Sequence, residues 1–229
     1  PESLSKENRR PFEIKRANPL GSLKQMSKYP ILIGLSISLF CIYTGAHSVQ
    51  STWNYYTMLR FNWNESMVGY SFGFAGILIA IVQAGLIRIV VPRIGPKRAL
   101  YTGLIMHATG QLLFAFSDQG WMLFVFLIPY CLGGIAGPSL QSIMSSQVLP
   151  TEQGELQGAF ASLLSITSII GPPLMTNLFS HFTKPNAIIY LPQAPFFAGV
   201  VFAIISVFFA MRTLKGYIHK VVKPISNSK

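Results

Sequence analysis

Stretches free of Asp, Glu, Lys and Arg run from 29 to 59, 66 to 87, 99 to 117, 119 to 151, 156 to 183 and 185 to 211. Each exceeds about 18 residues, and a hydrocarbon core about 30 Å thick is crossed by about 20 helical residues, so each block holds one membrane span. Lipid offers no partner to the polar groups of an open sheet edge, and no alternation marks barrel strands, so the spans are helices. The expected fold is all-α: a polytopic membrane protein with six transmembrane helices at about 29–56, 66–89, 99–117, 120–148, 155–182 and 191–211. Between them, turn signals fall at Pro92, Gly95 and Pro96, at Asp118-Gln119-Gly120, and from Pro150 to Gly154. Trp53 and Tyr56 suit a membrane interface, and Gly171-Pro172-Pro173 is expected to break the fifth span. No connection is long enough for a soluble domain, so function resides in the bundle.

Composition agrees with this picture. Hydrophobic residues make up 51% of the chain and charged ones 11%, against about 25% charged in soluble domains. The net charge of +11 is consistent with nucleic-acid binding until the positions are read. All but Arg60 and Lys184 of the 18 basic residues fall in the segment 1–28, around the second connection (Arg88, Arg93, Lys97, Arg98) or in the tail 212–229. The positive-inside rule then places both termini in the cytoplasm, the parity that six spans require. Anionic membrane lipid is a sufficient partner for this surface, and no nucleic acid is called for. Residues 1–28 resemble an inter-domain linker more than a targeting segment.

Several patterns carry candidate chemistry, each with a plainer reading beside it. His47, Gln50, Ser51 and Asn54 share one face of the first span and form either a substrate-facing stripe or an interfacial one. Gln83 and Gln141 are further cavity candidates, or interhelical hydrogen-bonding groups. His107 lies near mid-membrane with Gln111 one turn on, and is either a proton-sensitive group or a neutral imidazole satisfied by a neighbouring helix. Arg93, Gly95, Lys97 and Arg98 make a tight basic turn that acts as a gating latch at helix ends or as an orientation signal. Gly133 and Gly137, Gly154 and Gly158, and Ser162, Ser165 and Ser168 set small residues at helical spacing for close packing. Pro138 and Gly171-Pro172 add bending points.

The seven acids, Glu2, Glu7, Glu13, Glu65, Asp118, Glu152 and Glu155, all lie outside the span centres. The chain therefore lacks an intramembrane carboxylate. The sequence contains no phosphate loop and no HExxH, and neither an ATPase nor a membrane hydrolase is expected. Cys41 and Cys131 fall inside spans and outside any Cys/His cluster, and neither a metal nor a cofactor is expected.

Glu152-Gln153-Gly154-Glu155-Leu156-Gln157-Gly158 is followed by Ser165, Ser168 and Gly171-Pro172, and preceded by Gly133-Gly134-Ile135 with Gly137-Pro138 and Leu140-Gln141. Taken together, these segments resemble the tetracycline-efflux branch of the major facilitator superfamily, in its second six-helix half. Trp53 through Arg60-Phe61 and Trp63, and Pro1-Glu2-Ser3, support it. It implies helices seven to twelve of a twelve-helix drug:proton antiporter of the bacterial inner membrane. Its partner would be an N-terminal six-helix half, its substrates a small amphipathic drug and protons. Pro92 and Arg88 replace that superfamily's usual loop acid and leading glycine. His107 stands where tetracycline exporters carry an acid in the ninth helix, and Ile79 where many carry a histidine in the eighth. A facilitator for another small solute, or a non-transporting six-span module that pairs with a partner, remain alternatives.

Overall fold

Prolines start several of the helices. Pro30, Pro96 and Pro195 sit in first turns, where a missing N–H costs nothing and the fixed φ suits the helix. The computed structural model describes residues 29–215. Within them run α1 (Pro30–Phe61), α2 (Glu65–Ile94), α3 (Pro96–Ala115), α4 (Gly120–Ser145), α5 (Gln153–Thr183) and α6 (Ala194–Thr213). A 3₁₀ turn, Pro150–Glu152, leads into α5. The expected linker 1–28 and the tail beyond 215 lie outside the described residues.

Five helices are long and apolar enough to cross a membrane by length and composition: α1, α2, α4, α5 and α6. The exception, α3, spans 20 residues and carries Lys97, Arg98, His107 and Gln111. It is less apolar because it is interior, packed between α6 and α4. Neighbour follows neighbour in the order α5, α1, α6, α3, α4, α2. Antiparallel α3 and α4 approach closely along a row of small residues. A Cβ on Gly103 would lie 2.6 Å from the Ala136 nitrogen, one on Gly110 2.6 Å from Tyr130 Cα, and one on Gly133 2.6 Å from His107 Cβ. Such backbone proximity gives van der Waals contact where lipid supplies no hydrophobic drive.

Four details differ from the sequence expectations. Helix α2 continues through Pro92 to Ile94, so the expected loop shrinks to Gly95 alone, whose φ of 81° suits a residue without Cβ. Helix α5 runs unbroken through Pro172 and Pro173, although neither ring nitrogen can donate to the preceding turn. Thr176 and Asn177 side chains turn back onto the Pro172 and Pro173 carbonyls, at 2.8 and 2.7 Å.

Trp53 and Tyr56 face inward rather than toward an interface, at 2% and 1% exposure. Trp53 Nε1 donates to Ser71 Oγ at 2.9 Å, Tyr56 OH to the Phe114 carbonyl at 3.1 Å, and both rings pack edge-on in an aromatic cluster with Phe114, Trp63 and Phe196. Their polar tips find partners inside the bundle, which removes the reason for an interfacial place. Finally, the expected small-residue patterns of α5, from Gly154 to Ser168, do not pack within the bundle. Gly154, Gly158, Ser165 and Ser168 are exposed, and Ser162, Ser165 and Ser168 donate to carbonyls of their own helix.

Candidate functional site

Where α1, α2, α3 and α4 converge they border a partly open cavity of about 400 Å³. Its wall is apolar with a few polar groups, the usual make-up of a small-molecule site. Ile42, Tyr43, Ala46 and Gln50 come from α1, Ile79, Val82 and Gln83 from α2, and His107 from α3. Helix α4 contributes Tyr130 and Cys131 and the run Gly133, Gly134, Ala136, Gly137 and Pro138.

Local backbone irregularities shape this wall. Helix α2 relaxes into a π segment, Val82–Leu86, at Gln83, and α4 tightens into a 3₁₀ turn, Gly133–Ile135, opposite it. Such single-turn departures concentrate at functional sites. Gly133 brings α4 against His107, and Gly137 admits the Tyr43 hydroxyl, which would lie 2.9 Å from a Cβ there.

His107 is buried, its ring 4.7 Å from that of Tyr130 between centroids. Gln111 Nε2 lies 2.9 Å from His107 Nε2 and 3.1 Å from the Gly45 carbonyl of α1. Among the described residues, the cavity wall includes neither Asp, Glu, Lys nor Arg. No group of three or more His, Cys, Asp and Glu there is placed to hold a metal ion.

The expected stripe on α1 is divided by the structure. Gln50 borders the cavity, whereas His47 covers Gly171 of α5, and Ser51 and Asn54 lie outside the wall. Gln83 borders the cavity; Gln141 does not, and donates to Gln157 Oε1 of α5 at 3.0 Å. Tyr43 and Tyr130 escaped the sequence reading because apolar surroundings hide a tyrosine there. Gly103 and Gly110, which share the His107 face of α3, were detectable from their spacing.

At the end of the bundle holding the α2–α3 turn, Arg93 closes α2 while Lys97 and Arg98 open α3. Lys97 Nζ donates to the Leu214 carbonyl at 2.6 Å, a cation on the C-terminus of α6. Tyr29 OH donates to Glu152 Oε2 at 2.8 Å, and this bond, ahead of desolvation, raises the phenol above its ordinary value. At the opposite end Arg60 and Asp118 are 3.6 Å apart.

Six packed helices, five of them long and apolar enough to cross a membrane, with a cavity between four of them whose described wall carries no Asp, Glu, Lys or Arg, define an integral membrane helix bundle. Residues 35–226 match the Major Facilitator Superfamily, and the chain belongs to that family. It is 35% identical over 175 residues to the tetracycline resistance protein, class C, of Escherichia coli, covering 76% of this chain and 44% of that protein. The class B protein of Escherichia coli is 37% identical over 131 residues, 57% of this chain and 33% of its own length. The class G protein of Vibrio anguillarum is 40% identical over 128 residues, 56% and 33% respectively. The chain thus spans less than half the length of the curated relatives it matches.

Proposed function

We propose that this chain forms the C-terminal six-helix half of a proton-coupled antiporter that exports amphipathic drugs of the tetracycline type. The observation that carries the reading is the 400 Å³ cavity, in which two glutamines and one imidazole are the distinctive polar groups of an otherwise apolar wall. An amphipathic drug matches that wall, with its rings on Tyr43, Tyr130 and Ile79 and its polar edge toward Gln50 and Gln83. Asn54, Ser51, His47 and Gln141 extend the polar surface on the side where an N-terminal half closes the cavity. His107 is the group that takes up a proton, since the wall offers no carboxylate. The turn at Arg93, Gly95, Lys97 and Arg98 faces the cytoplasm with both termini, and its tie to Leu214 latches α3 to α6. The exposed small-residue face of α5 and the exposed α2 supply the sliding surface against the other half.

The decisive experiment expresses the complete reading frame that contains this chain in a drug-susceptible bacterium. A tetracycline tolerance several-fold above the empty vector, abolished by dissipating the proton gradient, is expected. Unchanged tolerance toward tetracycline and other amphipathic compounds sinks the drug assignment. The uncharged wall also favours a second reading, a facilitator of the same fold for another small neutral solute; uptake of such a solute insensitive to the proton gradient would select it.

A further inference from the structure

We propose that Gln111 is a positioning residue that sets which nitrogen of His107 carries the proton and passes its protonation state to helix α1. The proposal deepens the reading of His107 as the proton-accepting group and rests on it. A carbonyl oxygen can only accept a hydrogen bond, and so the 3.1 Å approach to the Gly45 carbonyl fixes the amide with its NH₂ toward α1. The same NH₂ faces His107 Nε2 at 2.9 Å. Since an amide nitrogen only donates, Nε2 accepts, and the neutral imidazole carries its hydrogen on Nδ1.

Three helices meet at this amide. Gly199 of α6 leaves the room that Gln111 Oε1 fills, for a Cβ there would clash with that oxygen, and a Cβ on Gly45 would lie 3.1 Å from the Gly199 carbonyl. Gln111 Oε1 and Ser48 Oγ both border that space, fully buried and without a hydrogen-bond partner among the described residues. An unpaired buried oxygen is costly, which makes this arrangement sensitive to any alternative that pairs it.

Protonation supplies the alternative. When His107 takes a proton on Nε2 from water in the cavity it borders, two donors oppose each other at 2.9 Å. Turning the amide over lets the orphaned Oε1 accept from Nε2–H and carries NH₂ toward the space that Ser48 Oγ borders. It also sets Oε1 against the Gly45 carbonyl, so the bond to Gly45 is broken and the amide's contact with α1 shifts from Gly45 toward Ser48. Tyr130 stacks on His107, and the other polar or titratable groups of the cavity wall are Cys131 from α4, Tyr43 and Gln50 from α1 and Gln83 from α2, none of them a carboxylate or a cation. The amide is therefore the element that answers the new charge, and α1 carries the answer to Tyr43, Ala46 and Gln50 in the cavity wall.

The test is ¹⁵N NMR of the full-length transporter in lipid with ¹⁵N-labelled histidine, the His107 signals being assigned by their loss in His107→Gln. Above the titration, His107 should show the Nδ1–H tautomer. Gln111→Leu, close in volume, should shift it to Nε2–H, and so should Gln111→Glu, whose carboxylate accepts. An Nε2–H tautomer in the parent protein, or the same tautomer in all three, overturns the proposal. Flux in Gln111→Leu should retain a pH response with a displaced midpoint; an unmoved midpoint overturns the passage to α1. A His107→Gln transporter that keeps its pH response overturns instead the underlying reading of His107, independently of the tautomer.

Discussion

Gln50 and Gln83 present amide groups to a wall that is otherwise mostly apolar. Removing one hydrogen bond to a bound ligand costs about 0.5–1.5 kcal/mol, or about 2–10-fold in affinity. Under the proposed function, Gln50→Leu and Gln83→Leu should each raise the KM of tetracycline transport in inverted vesicles by that factor at unchanged expression. His107→Leu should leave flux that no longer varies with pH, measured in proteoliposomes across pH 5.5–8.5 as a range of about three units around the ordinary histidine value. His107 and its bond to Gln111 were readable in the sequence because i and i+4 share a helix face. The glycines that accommodate Gln111, Gly45 and Gly199, were not, because they belong to other helices and only packing brings them together.

Among the helices, close approach decides which small residues matter. Gly133 touches the backbone of His107, so Gly133→Val forces α3 and α4 apart and should destabilise the bundle by about 1–3 kcal/mol, seen as a lower thermal midpoint in detergent. Gly154→Ala meets open space and should leave that midpoint within the error of the parent. The sequence presents these two glycines identically, each heading a small-xxx-small pattern. Periodicity shows that a face exists without showing what covers it. The same limit explains α5: Pro172 and Pro173 mark a site where backbone bonds are missing, yet packing and the Thr176 and Asn177 side chains hold the helix on course.

For the molecule as a whole, block length gave the six helices at once, since the bilayer imposes it. What lay beyond reach was their spatial order, with the most polar span, α3, in the interior rather than at the edge. Orientation is open to direct measurement. With the buried Cys41 and Cys131 left in place, Arg98→Cys should react with an impermeant maleimide only in inverted vesicles, and Lys184→Cys only in intact cells. The reverse pattern would turn the bundle over. The irregular stretch of α4 has a further consequence, for the evolution of cargo range. Gly133 and Gly134 both border the cavity, but a methyl group at 133 strikes α3, whereas at 134 it meets only Val82 Cγ1 at 4.0 Å. One base change at the second codon should trim the chamber without disturbing the fold, and the same change at the first should be selected against. Variants under drug selection should therefore accumulate at 134 and spare its neighbour.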